Sequence, residues 1–165
     1  MQRSFILTLM LLSGVTFGCS NSTGSLNAVF GGAAPIETVQ DATSVHVFRL
    51  KPSGKSHAHL SEYEIASGPV VVPADAVSTL RSILLDTSTY GWDSAKGCMP
   101  NYGVRIQFKS GSEEVDVLLC FECDILAVYY NGAPMGGEDF DNARGEILSA
   151  IRTLFPDDAD IQTLN

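Results

Sequence analysis

Two cysteines in the apolar run LLCFECDIL, Cys120 and Cys123, are spaced closely enough to act together. Thiols at this spacing exchange disulfides, bind soft metal ions or form structural bridges. Cys98 comes just before a predicted strand, and the antiparallel partner of that strand ends near Cys120. The sequence therefore predicts that the three sulfur atoms gather at one edge of a sheet.

A structural disulfide is the chemistry that this pattern favours most. An oxidising compartment would join Cys98 to Cys120 or to Cys123, and the sequence does not distinguish these partners. Closing a loop of roughly 20–25 residues would stabilise the fold by about 3 kcal/mol. A fourth cysteine, Cys19, lies near the N-terminus, and if it is modified, one of the other three thiols is left over.

A redox-active pair formed by Cys120 and Cys123 is the first alternative. Catalytic CxxC pairs usually open a helix, whose N-terminus stabilises the attacking thiolate. Here both flanks have the pattern of strands, and the neighbouring carboxylates of Glu122 and Asp124 oppose thiolate formation. The pattern disfavours thiol-disulfide exchange.

A metal site built from the three clustered cysteines and a histidine is the second alternative. Zinc sites usually show two CxxC pairs, or one pair with a nearby HxxxH. This chain has one pair, and His57 and His59 lie in the segment KSHAH, which is typical of a solvated loop. The chain also contains no GxSxG, HExxH or phosphate-binding loop with its lysine. We therefore expect no metal, no cofactor and no catalytic residue.

The N-terminal segment has the pattern of an export signal. Residues 1–18 combine Arg3 with a short apolar run and a small-residue end, which predicts a signal peptide. The following Gly18-Cys19 junction resembles the lipobox of bacterial lipoproteins, which implies lipidation of Cys19; ordinary cleavage after Gly18, giving a secreted or periplasmic protein, is the alternative. Residues 19–42 are rich in Ser, Asn, Gly and Ala and predict a lipidated N-terminus with a flexible tether.

The charge balance restricts the partners. The chain has a formal net charge of −9, and removing residues 1–18 takes away only Arg3, which leaves 9 − 19 = −10. An acidic surface repels phosphate backbones and anionic lipid headgroups. We expect no binding to nucleic acid, and contact with a membrane only through a lipid on Cys19.

The rest of the chain predicts one α+β domain, residues 43–160, followed by a short tail at 161–165. The spacing of its apolar residues predicts strands and helices in the order β-β-α-β-β-β-α. This order predicts an antiparallel sheet with two helices packed on one face. The clearest hairpin places Phe108 opposite Val115, and the same register places Ile106 opposite Val117. One face of this hairpin is predicted to be buried.

The segments CMPNYGVRIQF and VDVLLCFECDILAVYYNG, followed by an amphipathic helix ending LFPDD, resemble a family of small uncharacterised bacterial secreted proteins and lipoproteins. The resemblance covers roughly residues 75–160. It implies an exported protein with a three-cysteine cluster and implies no activity. Together with the charge and the missing catalytic motifs, it indicates a membrane-anchored protein of the bacterial cell envelope that is a binding or structural module rather than an enzyme.

Overall fold

A single six-stranded antiparallel sheet organises the chain. The computed structural model describes residues 25–54, 57–93 and 95–165. The strand order is β2-β1-β3-β4-β5-β6, and every neighbouring pair is antiparallel. The strands are β1 (Ser44–Leu50), β2 (Ile65–Val71), β3 (Val104–Ser110), β4 (Glu113–Cys120), β5 (Ile125–Tyr130) and β6 (Ala133–Asp139). The α+β prediction is confirmed.

The helices pack on one face of the sheet and enclose the main core. They are α1 (Leu26–Phe30), α2 (Ala33–Gln40), α3 (Ala74–Leu84), α4 (Arg144–Leu154) and α5 (Ala159–Thr163). Leu80 of α3 and Ile147 of α4 are fully buried against alternate strand residues such as Ile106 and Val117. The alternating strands and the amphipathic helices therefore bury complementary apolar surfaces.

The hairpin of β3 and β4 has the predicted register. Phe108 pairs with Val115, Ile106 with Val117 and Val104 with Leu119. These side chains are fully buried. Because a slip of one residue would turn all of them towards the opposite face, their packing against the helices specifies the register. The prediction of a single buried face is wrong for β4, since Asp116, Leu118 and Cys120 on its other face are also completely buried.

The sixth strand was not predicted. Its sequence, APMGGED, has two adjacent glycines and a proline, which are poor strand formers, and it lacks apolar alternation. Its pairing with β5 carries an irregularity between Val128 and Tyr129. Backbone hydrogen bonding to an existing strand, rather than local preference, accounts for β6.

The N-terminal segment differs from its prediction. From Leu26 onward, the predicted flexible tether is wrong, because α1 and α2 form there and Val29, Phe30 and Val39 are completely buried. Helices of five and eight residues are too short to show a clear period or to be stable alone, so packing on the sheet decides their formation. Gly136 permits this packing, since a Cβ there would lie 2.5 Å from the carbonyl oxygen of Ala28. The predicted signal peptide and Cys19 lie outside the described residues.

The C-terminal boundary also differs from the prediction. Residues 161–165 are not a tail, because Ile161 belongs to α5 and is 1% exposed. The Asp158 side chain caps this helix by accepting a hydrogen bond from the backbone N–H of Ile161, and its Oδ2 also accepts one from Arg49 Nε at 2.7 Å. The acidic segment near residue 158 therefore fastens the C-terminus to β1.

Candidate functional site

The structure joins Cys98 to Cys123 in a disulfide. Cys98 lies in the irregular segment before β3 and is exposed, whereas Cys123 lies in the turn between β4 and β5 and is 5% exposed. The two Cα atoms are 6.1 Å apart, within the usual range for disulfides. The partner that the sequence left open is therefore Cys123, and the bond ties the segment before β3 to the β4–β5 turn.

Cys120 is close in sequence to this disulfide but is not part of it. It is the last residue of β4 and is completely buried, and its thiol is free. Its Sγ lies 3.2 Å from the backbone N–H of Asn101, which donates to it. Its neighbours on the second face of the sheet, the face opposite the helices, include Tyr63 and Tyr102. Of the two CxxC cysteines, Cys123 therefore forms the disulfide, whereas Cys120 is a buried free thiol.

Two cations hold the turn that carries Cys123. Lys96 Nζ donates to the Cys123 carbonyl oxygen at 2.6 Å and pairs with Asp141 Oδ2 at 2.6 Å. Arg144 Nε donates to Asp124 Oδ1 at 2.7 Å, and its Nη2 donates to the Phe121 carbonyl. The Asp124 carboxylate therefore serves as a partner of α4, and the turn is held in place on both sides.

The histidines do not complete a metal site in the part of the chain that the structure describes. His57 Nδ1 lies 3.6 Å from Glu62, and its ring packs edge-on against Tyr63 at 4.7 Å between centroids. The backbone N–H of His59 donates to the same glutamate. Within residues 25–54, 57–93 and 95–165, no group of three or more His, Cys, Asp or Glu side chains could hold a metal ion.

A buried charged group lies on the second face and was not singled out from the sequence. Asp116 in β4 is completely buried, and its Oδ1 accepts a hydrogen bond from Arg105 Nε at 2.6 Å. Arg105 Nη2 also contacts Glu114 at 3.3 Å and its guanidinium lies over the Phe48 ring. Among the residues that the structure describes, none forms a hydrogen bond with Asp116 Oδ2. The sequence does contain a signal for this group, because Asp116 is a charged residue within a predicted strand whose apolar residues alternate strongly.

Burial dominates the protonation of Asp116. Removal of the carboxylate from water raises its pKa to about 6, although the Arg105 guanidinium opposes this change. On the same face, beside Tyr63 and Cys120, burial likewise raises the pKa of the Tyr102 hydroxyl. The carboxyl group therefore takes up a proton in the folded protein at a pH at which it is ionised in the unfolded chain.

The Asp116→Asn variant should reveal this titration. Because the folded state binds the proton more tightly, Asp116 contributes stability below its unfolded pKa of 3.8, and this contribution is lost as the pH rises towards 6. The free energy of unfolding of the wild type minus that of the variant should therefore fall between about pH 4 and pH 6 and stay constant above it. Urea unfolding at several pH values measures this difference. A difference that is constant between about pH 4 and pH 6 and rises with pH only below about pH 4 would show that the Arg105 ion pair dominates instead.

An open groove lies between α3 and α4, away from the cysteines. It has a volume of about 870 Å³ and is lined by small and polar side chains, among them Ala76, Ser82, Gly145 and Ser149. Asp75 and Glu146 are the carboxylates at its rim. The hydroxyls of Ser78 and Thr79 on its wall donate to the backbone carbonyl oxygens of Ala74 and Asp75 rather than to a carboxylate.

The chain matches no family model, no curated protein and no solved structure in the comparisons with known proteins. None of the helices formed by the described residues has the length and apolar character needed to cross a membrane. The features of the chain that bear on its function are therefore a disulfide-tied turn, a buried thiol and a buried carboxylate.

Proposed function

We propose that this protein is a lipid-anchored component of the bacterial cell envelope, attached through Cys19, whose folded domain acts as a binding or structural module. The observation that supports this function best is the Cys98–Cys123 disulfide. Such bridges persist in exported proteins and are rare in reducing compartments. Together with the predicted signal peptide, residues 1–18, the disulfide favours an exported protein over a cytoplasmic one.

The state of the cysteines favours a structural role over thiol-disulfide exchange. Exchange requires that an attacking thiolate reach a disulfide sulfur, and it depends on access. Cys120 has no exposed surface, and Cys123 is held in a turn fastened by Lys96 and Arg144. The three cysteines therefore favour a structural disulfide over a reactive centre. Among the described residues, no group of three or more His, Cys, Asp or Glu side chains could hold a metal ion.

Intact mass spectrometry of the protein taken from its own cell envelope tests this function. Free thiols are alkylated before any reduction, once in native buffer and once in denaturant. We expect a diacylglycerol mass on the mature chain, no alkyl group in native buffer and one alkyl group in denaturant. The single group would mark Cys120, which is buried in the native state and free.

Other masses would support other functions. Three alkyl groups in denaturant would mean that Cys98, Cys120 and Cys123 are all reduced in the cell, which would favour the exchange or metal-binding alternative. A mature chain without the lipid would favour a secreted or periplasmic protein. The Cys19→Ser variant is the matched control, because it should remove the lipid without changing the folded domain.

A further inference from the structure

We infer that two copies of this protein pair through β2, an edge strand of the sheet, with the two strands antiparallel about a two-fold axis at Gly68. Among the described residues, β2 has β1 as its only neighbour in the sheet. The outer side of an edge strand carries unpaired N–H and C=O groups, which are a template for another strand. The partner is a second copy of this chain, and the pairing does not require a lipid on Cys19.

Exposed aliphatic side chains are concentrated on β2. Val71 is 69% exposed and Ile65 is 44% exposed, and Met99 is the only other exposed large apolar side chain among the described residues. No charged residue lies within β2, whose sequence is IASGPVV, although the chain as a whole is acidic. Edge strands that stay in solvent are commonly protected by charged side chains. The composition of β2 therefore favours contact with another apolar surface.

Ile65 and Val71 lie on the same face of the sheet. Ile65 pairs with Leu50 of β1, and Val71 pairs with His46. Leu50 and His46 are four residues apart on β1, so their side chains point to one face, the second face. Paired residues share a face, and each end of β2 has its own pairing with β1. The register shifts between these two ends therefore do not separate the two side chains.

The backbone groups of Ile65 and Val71 are turned away from β1. The N–H of Val72 donates to a carbonyl oxygen of β1, and the carbonyl oxygen of Glu64 accepts a hydrogen bond from the N–H of Lys51. Because the backbone groups of successive strand residues point to alternate sides, those of Ile65 and Val71 face the free edge. Both residues can therefore hydrogen-bond to another strand without breaking a bond to β1.

The sequence of β2 is complementary to itself about Gly68. This residue is the middle of the strand, three residues from Ile65 and three from Val71. Antiparallel pairing about Gly68 places Ile65 opposite Val71 of the second copy, and the two-fold axis repeats this aliphatic pair at the other end. Because the two strands are identical, their irregular middles have the same length, and both ends come into register together. Pro69 has no N–H, so the hydrogen bonds form mainly at the ends.

The expected assembly is a weak, closed dimer. A two-fold pairing uses the free edge of β2 in both copies, so it leads to a dimer and not to a filament. Two paired seven-residue strands bury less surface than the roughly 1,200 Å² at which standard stable interfaces begin. The two copies should therefore exchange readily between monomer and dimer.

Sedimentation equilibrium and ¹⁵N NMR test the pairing on the mature chain, residues 19–165, carrying Cys19→Ser so that no lipid is present. Over about 10 µM to about 1 mM, the range in which small interfaces associate, we expect the mean mass to rise towards that of a dimer. The amide signals of Ile65 and Val71 should shift with concentration, whereas those of Gly111 and Glu122, in turns between other strands, should not. A monomer throughout this range, or shifts confined to residues outside β2, would overturn the pairing.

Val71→Lys and Met99→Lys form a matched pair of variants. Both replace a side chain that is 69% exposed and add one positive charge, but only Val71 lies in β2. We expect Val71→Lys to raise the dissociation constant of the dimer at least about tenfold and Met99→Lys to change it less than about twofold. Urea unfolding should show wild-type stability for both, because the replaced side chains are exposed. Wild-type dimerisation of Val71→Lys, or loss of the dimer in Met99→Lys, would contradict the assignment to β2.

Discussion

Replacing Cys98 by serine is expected to lower the free energy of unfolding by about 3 kcal/mol. The Cys98–Cys123 bond joins residues with a sequence separation of 25, and releasing a loop of this length gives the unfolded chain conformational freedom worth about 3–4 kcal/mol at 25 °C. Urea unfolding at fixed pH measures the loss. Treatment of the wild type with reductant should cause a similar decrease.

The Cys120→Ala variant is the matched control for the disulfide. It removes a buried thiol and leaves the Cys98–Cys123 bond intact, so its stability should still fall on reduction, whereas that of Cys98→Ser should not change further. If Cys120→Ala instead abolished the effect of reductant, the bridge in solution would use Cys120, and the pairing described here would be wrong.

Replacing Phe30 by alanine is expected to lower the free energy of unfolding by about 3–5 kcal/mol. The ring is completely buried between α1 and the core, and its loss removes apolar contacts and leaves a cavity that the surrounding structure fills only in part. Urea unfolding measures the difference, and amide hydrogen exchange should show faster exchange in α1 and α2.

Asn27→Ala is the control in the same helix. Asn27 is exposed, so this change should alter the stability by no more than about 0.5 kcal/mol. If Phe30→Ala had an effect as small as that of Asn27→Ala, the N-terminal segment would not be docked in solution.

Much of the sheet could be predicted because apolar and polar residues alternate along its strands, although the structure also buries part of the second face, including Leu118 and Cys120. Val104, Ile106 and Phe108 alternate with polar residues, and this pattern has one register that buries all of them. The helix over Ala74–Leu84 was predictable for a related reason, since Val77, Leu80 and Leu84 recur at helical spacing. Where local pattern and tertiary burial agree, the sequence is sufficient.

Only the part of the candidate site that follows from the sheet register was predictable. The register placed Cys98, Cys120 and Cys123 at one edge, but it could not choose the partner of Cys98. That choice depends on the β4–β5 turn, where Lys96 and Arg144 fasten the backbone around Cys123 while Cys120 remains in the strand and points into the second face. These contacts join residues far apart in the chain, and no local pattern records them.

By itself, the sequence determined the α+β class, the register of the central hairpin and the grouping of three cysteines, because these follow from periodic burial. Only the tertiary structure decided that residues 26–40 are docked helices and that Gly136 and its neighbours form an edge strand. It also decided that Asp116 is buried. These segments are too short or too rich in glycine to have a strong local preference, so their conformation is set by the surface against which they pack.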